Sequence, residues 1–274
     1  MLPSSLESRF AGLGDFVEEI HLGTSGWSYK DWVGPFYTRG VAPANYLSHY
    51  AQHFDSVEID STFYRIPAER TVRSWEAKTP ENFLFCPKFP RVITHDKRLQ
   101  NCSEELVQFL SRMDLLGDKL GPLVLQFDYG FTPDFFPVLK AFLSEFPAGY
   151  RIAVEIRNRK WLHFEPFFSL LEERRCALVI QDLYYMPRFI RLTAPFTYIR
   201  LLGDRRQIPD DFSHARVDRE LELSDWAQRI VDMASEGVEV FAYSNNRYQG
   251  HAPETVRTLR SKVNAIVNRG KLFF

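Results

Sequence analysis

Short apolar segments recur along the chain, and most of them are followed by a stretch in which apolar residues are spaced as in a helix. The apolar segments are rich in aliphatic and β-branched residues, as buried parallel strands are. Their starts lie 20 to 41 residues apart, the size of a βα unit. They are IHLGT (20–24), SVEID (56–60), FLFCPK (83–88), PLVLQF (122–127), IAVEIR (152–157), ALVIQD (177–182), TYIRLL (197–202) and VEVFAYS (238–244).

Eight such units in order predict a (β/α)8 barrel of the TIM type. The predicted barrel is a single domain over 20–274, preceded by an N-terminal extension over 1–19. The sixth interval, 183–196, is interrupted by Pro187 and Pro195, so we expect its helix to be short or distorted. An open doubly wound sheet is the alternative fold, but no GxGxxG or Walker-type loop favours it.

Alternation within the strands predicts polar side chains inside the barrel, close to the carboxyl ends where barrel enzymes carry their sites. In SVEID, Val57 and Ile59 would face the helices, which turns Glu58 and Asp60 inward. The facing of Asp182, at the end of the sixth strand, is less clear. The other positions predicted inside or at the top of the barrel are Lys88, Gln126, Glu155, Arg157, Arg200 and Asn245.

Acidic residues are rarely buried without partners. The inward charges therefore form either a closed salt-bridge network that fills the barrel or a polar pocket open to a ligand. Their position towards the carboxyl ends of the strands favours the pocket.

Several motifs, in this order along the chain, resemble those of the DUF72 family, also called the YecE-like proteins. The resemblance covers about residues 21–265. It implies a TIM-type barrel and no established activity. The likeness of this family to apurinic endonuclease and xylose isomerase barrels suggests nucleic-acid binding, by analogy alone. Arg247 departs from the pattern, because related sequences often have histidine there. The motifs are GTSGWSYKDWVGPFY, VEIDSTFYRIP, TPENFLFCPKFPRVITHDKRL, AVEIRNRKW, LVIQD, YIRLLGD and SNNRYQGHAPETVRTL.

The first of these motifs, residues 23–37, is an aromatic segment that the glycines predict to be a loop over the barrel mouth. Its aromatic side chains either pack into a local core or stack on a sugar or base. We expect packing for Trp32, Phe36 and Tyr37. Both interpretations stay open for Trp27.

Charge is distributed unevenly over the predicted barrel. The 274 residues carry a net charge of −1, yet basic residues exceed acidic ones by nine over the eight predicted strand-end segments. A basic mouth attracts an anionic substrate, such as a phosphate ester or nucleic acid. The three cysteines form no CxxC pair, and the chain shows neither a signal-peptide start nor an apolar run of about 18 residues. We therefore expect a cytoplasmic protein without a membrane partner.

Familiar catalytic motifs such as GxSxG and HExxH are missing from the sequence. His95, in ITHDKRL, is either a general acid or base or an anchor of its loop. We expect no cofactor, although Asp60, Glu155 and Asp182 have the ligand type that Mg²⁺ or Mn²⁺ takes. Asn245 either contacts substrate or caps the last helix.

Two functions remain after these observations. The first is a hydrolase or lyase acting on a phosphorylated or nucleotide-like anion. The second is a non-catalytic nucleic-acid-binding protein with a basic rim and stacking aromatic residues. A sugar-processing barrel fits the aromatic residues but not the basic rim. In the first function, the predicted catalytic residues are Asp60, Glu155 and His95, and the predicted substrate-binding residues are Trp27, Glu58, Lys88, Gln126, Arg157, Asp182, Arg200 and Asn245.

Overall fold

All eight apolar segments contain strands in the computed structural model, which describes residues 19–271. The predicted extension over 1–19 therefore lies, apart from Glu19, outside the described residues. The strands are β1 (Ile20–Thr24), β2 (Ser56–Ile59), β3 (Leu84–Pro87), β4 (Leu123–Gln126), β5 (Ile152–Glu155), β6 (Ala177–Leu183), β7 (Phe196–Gly203) and β8 (Glu239–Ser244).

The strands are parallel and form two sheets. Six of them pair in the order β1-β8-β7-β6-β5-β4, and β2 pairs with β3. Isolated contacts join the two sheets: the Gly26 amide donates to the Glu58 carbonyl at 2.8 Å, and the Phe89 amide donates to the Val124 carbonyl at 2.9 Å. The α/β class with parallel strands is thus confirmed, but one continuous ladder of eight strands is not formed. On their outer sides, strands β2 and β3 form only isolated bridges with the neighbouring segments: Glu58 with Ser25, Phe85 with Leu120 and Lys88 with Val124.

Helices follow most of the strands. Residues 184–195, between β6 and β7, contain no helix, as the two prolines of this interval predict. A single π-helical turn, Val92–Asp96, follows β3. The α-helices are α1 (Tyr46–Tyr50), α2 (Ser61–Tyr64), α3 (Glu69–Ala77), α4 (Ser103–Met113), α5 (Phe136–Glu145), α6 (Glu165–Glu173), α7 (Glu220–Ser235), α8 (Asn246–Gln249) and α9 (Ala252–Lys271).

A small apolar cluster fills the space enclosed by the strands, separate from the larger core under the helices. It consists of side chains that alternate with those of the larger core. Two residues further along each strand, the inward position is polar, so a polar layer lies directly above the apolar one. The successive inward positions are Cys86 and Lys88, Val124 and Gln126, Ala153 and Glu155, Val179 and Gln181, and Tyr198 and Arg200.

Candidate functional site

The polar layer is organised around Arg200, which is 2% exposed. One terminal nitrogen of its guanidinium donates to Glu58 Oε1 and the other to Glu155 Oε2, each at 2.6 Å. Glu58 Oε2 accepts a further hydrogen bond from the Tyr198 hydroxyl at 3.0 Å. The second oxygen of Glu155 pairs with Arg157 Nε. Both glutamates are completely buried, so their charges are compensated by arginines rather than by water.

The two glutamates respond to burial in different ways. Burial alone would raise the pKa of Glu155, but the charges of Arg157, Arg200 and Lys88 outweigh it and lower the pKa to about 2. Burial raises the pKa of Glu58, and Arg200 opposes this only in part, while Asp60 adds to it. Glu155 is therefore held as an anion by its three neighbouring cations.

Asp60 and Lys88 lie beside this pair. Asp60 Oδ1 is 3.6 Å from Arg200 Nη2 and 3.8 Å from Lys88 Nζ. The side chain of Asp60 is 28% exposed and that of Lys88 is 11% exposed. Burial lowers the pKa of Lys88, and the nearby Asp60 carboxylate partly offsets this decrease. We call the six charged residues together the buried charge cluster: Glu58, Asp60, Lys88, Glu155, Arg157 and Arg200.

A cavity of about 620 Å³ opens above the buried charge cluster, at the carboxyl ends of the strands. We call it the cup. Asp60 and Arg157 belong both to the cluster and to the wall of the cup. The remaining wall is aromatic, basic or amide-bearing in large part, and its residues include Tyr29, Tyr64, Tyr184, Tyr185, Phe212, Arg205, Asn245 and Arg247.

The prediction of inward-facing charges holds for Glu58, Asp60, Lys88, Glu155, Arg157 and Arg200, all of which the structure brings together. Gln126 lies in the same polar layer, where its amide donates to the Phe127 carbonyl at 2.6 Å. Glu58, Arg200 and the predicted catalytic residue Glu155, however, are too deeply buried to line the cup. They lie beneath the cup and support its wall residues rather than contact a ligand.

Asp182 lies outside this group. Its Oδ2 accepts hydrogen bonds from Trp226 Nε1 and the Tyr248 hydroxyl, both at 2.9 Å, and from Arg188 at 2.7 Å. The side chain thus points to the helices, and Gln181, one residue earlier, takes the inward position opposite Arg200. The predicted substrate-binding role of Asp182 is not supported by this placement.

His95 and Trp27 also lie apart from the cup. His95 Nδ1 is 2.8 Å from the Thr94 hydroxyl, and its ring meets Phe63 edge to face. Trp27 packs edge-on against Trp75 and Phe85, with ring centroids 5.6 and 6.5 Å apart. These contacts correspond to loop anchoring for the histidine and packing for the tryptophan.

Asn245 reaches the cup and also caps a helix. Its Oδ1 accepts a hydrogen bond from the Arg247 amide at 2.9 Å, at the start of α8. Nearby, Trp32 Nε1 donates to Asn246 Oδ1 at 3.1 Å, which ties the aromatic loop to this turn. Trp32, Phe36 and Tyr37 are at most 6% exposed, so the expectation of a local core is confirmed for them.

Some of the basic residues at the strand ends are paired with acids. Arg188 contacts Asp182, Arg206 contacts Asp204, and Arg247 contacts Asp210. Arg205, which lines the cup and is exposed, forms no ion pair with any described residue. Arg65, Arg159 and Lys160, in the same strand-end segments, are also exposed and form no ion pair with any described residue, so part of the basic surface remains available to a ligand.

The carboxylates considered for Mg²⁺ or Mn²⁺ do not converge, because Asp182 turns away from Asp60 and Glu155. Among residues 19–271, no three histidine, cysteine, aspartate or glutamate side chains are grouped so as to hold a metal ion. Within the same residues, no helix combines the length and the apolar character that crossing a membrane requires.

Several residues of the site were not predicted. Tyr198 and Gln181 could have been found from alternation, since each lies two positions from an inward residue of its own strand. Arg205, Tyr184 and Phe212 belong to loops, where no periodicity indicates direction. Only the folded chain brings them to the cup.

These features define an α/β protein of parallel strands with a charged, aromatic-lined cavity at the carboxyl ends of the strands. The chain belongs to the DUF72 family: residues 21–271 match the family described as "Protein of unknown function DUF72". It is 34% identical over 156 residues to the UPF0759 protein YecE of Escherichia coli strain K12, a match that covers 57% of this chain and 53% of that protein. The chain thus spans about half the length of this relative.

A second relative matches along most of its length. The UPF0759 protein YunF of Bacillus subtilis strain 168 is 26% identical, with 86% of this chain and 91% of that protein covered. Two solved structures share the fold. A DUF72 family protein from Thermotoga maritima MSB8 has a TM-score of 0.73 at 23% identity, covering 91% of this chain and 99% of that chain. One from Enterococcus faecalis V583 has a TM-score of 0.72 at 24% identity, covering 89% and 97%.

Proposed function

We propose that this chain is an enzyme of the hydrolase or lyase type, which binds a phosphorylated or nucleotide-like anion in the cup. The proposal rests on Asp60 and Arg157, which belong both to the buried charge cluster and to the wall of the cup. Salt bridges hold both side chains in place before a ligand arrives. Binding and catalytic groups need to be positioned in this way.

In this proposal, the cations of the cup bind the anionic group of the substrate. Arg157 uses Nε for Glu155 and Nη1 for the Tyr185 hydroxyl at 3.1 Å, and its Nη2 contacts no acceptor among the described residues. Arg205 forms no ion pair with a described residue. These two groups together would hold a phosphate, while Tyr29, Tyr184 or Phe212 would contact an attached ring.

Asp60 is the proposed general base. Its carboxylate lines the cup and is 28% exposed, so a substrate proton is within reach. Loss of a general base typically slows a reaction about 10²–10⁴-fold. We therefore expect Asp60→Asn to abolish most turnover in a screen of phosphate esters while phosphate binding persists.

We further propose that the two sheets work as one barrel around the buried charge cluster. Glu58 lies on β2, in the two-stranded sheet, while Glu155 and Arg200 lie in the six-stranded sheet. The ion pair between Glu58 and Arg200 supports this closure, because it joins the sheets where their ladders are interrupted.

Calorimetric titration with inorganic phosphate and adenosine 5′-monophosphate tests the binding. We expect Arg205→Ala to weaken binding about 10- to 100-fold, since a hydrogen bond to a charged group contributes about 1.5–3 kcal/mol. Arg73→Ala is the matched control, because Arg73 pairs only with Glu69 on the exposed face of α3. Absence of binding by the unaltered protein at millimolar phosphate and low salt would refute the proposal.

Binding of single-stranded nucleic acid is the second candidate function. It is favoured by exposed tyrosines at the strand ends: Tyr64 is 81% exposed, Tyr129 69% and Tyr184 48%. Arg206 lies 4.2 Å from the centroid of the Tyr184 ring. Stacking on such rings contributes about 1–3 kcal/mol per base.

Salt dependence separates the two candidates. Each phosphate neutralised on a single strand contributes about −0.7 to the slope of log affinity against log salt. Because most strand-end arginines are already paired with acids, we expect weak oligonucleotide binding with a slope close to zero. A steep slope, with loss of binding in Tyr184→Ala, would favour nucleic acid over a small anion.

A further inference from the structure

Lys88 is held in place through its backbone, but its side-chain amine has no hydrogen-bond acceptor among the described residues. Its backbone amide donates to the Thr62 hydroxyl at 3.1 Å, and that hydroxyl donates to the Lys88 carbonyl at 2.7 Å. Its Nζ lies 4.3 Å from the centroid of the Phe63 ring and 3.8 Å from Asp60 Oδ1. No acceptor among the described residues lies within hydrogen-bonding distance of Nζ, although an ammonium carries three donors.

Such an environment disfavours the ammonium form. Burial lowers the pKa of Lys88 and the nearby Arg200 lowers it further, whereas Asp60, Glu155 and Glu58 raise it. Removal from water and a neighbouring cation are the two influences that turn a lysine into a nucleophile. The residue is 9% exposed, and its amine lies 3.8 Å from the carboxylate of Asp60, which lines the cup.

We propose that Lys88 is a nucleophilic amine that forms an imine with the carbonyl carbon of a substrate held in the cup. The inference rests on the proposed function and names its substrate class, a phosphorylated aldehyde or ketone. It also selects lyase over hydrolase chemistry. When a bond breaks at the carbon atom adjacent to the former carbonyl carbon, the imine accepts the electron pair left on that atom.

The step balances without an oxidant or a metal ion. The nitrogen lone pair attacks the carbonyl carbon, a C–N bond forms as the C=O π bond breaks, and one proton of the amine moves to the oxygen to give a carbinolamine. The second amine proton then moves to this oxygen as the C–O bond breaks, and loss of water leaves the imine. Asp60 is in place to carry the protons, because its carboxylate lies 3.8 Å from the Lys88 amine and lines the cup. The phosphate of the substrate would bind Arg157 and Arg205.

Reductive trapping on the unaltered protein tests the proposal. The protein is incubated with cyanoborohydride and either propanal, which is neutral, or glyceraldehyde 3-phosphate, which is anionic, and the modified lysines are mapped by mass spectrometry. Cyanoborohydride supplies the hydride that converts the imine to a stable secondary amine. Lys140, exposed on α5, is the internal control.

We expect Lys88 to be labelled faster than Lys140 at neutral pH, because a lowered pKa leaves a larger fraction of the amine unprotonated. Inorganic phosphate should slow labelling by glyceraldehyde 3-phosphate at Lys88 and not at Lys140. Asp60→Asn should slow labelling of Lys88, and Lys88→Arg, which keeps the charge, should abolish the site-specific adduct.

Labelling of Lys88 no faster than that of Lys140 with both aldehydes overturns the inference. If phosphate nevertheless binds the cup, the proposed function survives without the imine. Rapid labelling of Lys88 by propanal in a protein that binds no phosphate supports the nucleophile and refutes the anionic substrate.

Discussion

Arg200 on β7 bridges Glu58 on β2 and Glu155 on β5, with both nitrogen–oxygen distances at 2.6 Å. The bridge crosses the interior and ties the two-stranded sheet to the six-stranded one. Each of the three residues is at most 2% exposed, so water cannot replace Arg200 as the partner of either glutamate.

Arg200→Met should therefore destabilise the protein strongly. Removing one member of a buried ion pair leaves an uncompensated charge and costs about 3–5 kcal/mol. Chemical denaturation measures the free energy of unfolding. Arg229→Ala is the control, since Arg229 pairs with Asp225 on an exposed face of α7 and its loss should cost about 0–1 kcal/mol. Similar losses in the two variants would contradict the bridging role.

Glu155 should make the protein acid-sensitive. Its pKa is lowered in the folded state from 4.5 to about 2, so its ionised form stabilises the fold above pH 4.5. This contribution is lost as the pH falls from about 4.5 towards about 2, a change on the order of 3 kcal/mol. Glu58, whose pKa burial raises, titrates above this window.

Denaturation curves of the unaltered protein and of Glu155→Gln between about pH 5 and pH 2 test this dependence. The variant should lose less stability than the unaltered protein over the same range, whatever its stability at neutral pH. Parallel pH profiles for the two proteins would show that Glu155 is not the group that titrates.

Lys88→Met should alter stability far less than Arg200→Met. The distance of 3.8 Å between Lys88 and Asp60 is long for an ion pair, and Asp60 keeps water and Arg200 as alternative partners. We expect a loss below about 2 kcal/mol, against about 3–5 kcal/mol for a dry pair. Phosphate affinity should stay nearly unchanged in the same variant, because Arg157 and Arg205 bind the anion in the proposed function. Severe unfolding would instead identify a structural salt bridge.

Two substitutions of Asn245 can separate its role as a helix cap from its contact with a ligand. Asn245→Ala should cost about 1 kcal/mol, because the Arg247 amide loses its acceptor at the start of α8. Asn245→Asp keeps an acceptor there and should be nearly as stable as the unaltered protein. The added charge faces the cup, so phosphate binding should weaken in the aspartate variant. Equal phosphate affinity in Asn245→Asp and the unaltered protein would leave capping as its single role.

The sequence determined most of the framework. Strand positions, the parallel α/β class and the inward facing of Glu58 and Glu155 follow from local patterns, because side chains alternate with a period of two whatever the rest of the chain does. The family could be recognised for a similar reason, since its motifs are contiguous segments. The two prolines before β7 likewise excluded a regular helix between residues 184 and 195.

Tertiary structure decided which charges meet and which remain available. Alternation turns Arg200 inward, but only the packing of the two sheets brings it between Glu58 and Glu155 and removes it from the ligand-binding set. Asp182 pairs with Trp226 because α7 packs against that side of β6. Part of the basic mouth inferred from the chain is neutralised by acids distant in sequence, such as Asp210 against Arg247. Partners across space depend on the whole packing arrangement, which no local periodicity encodes.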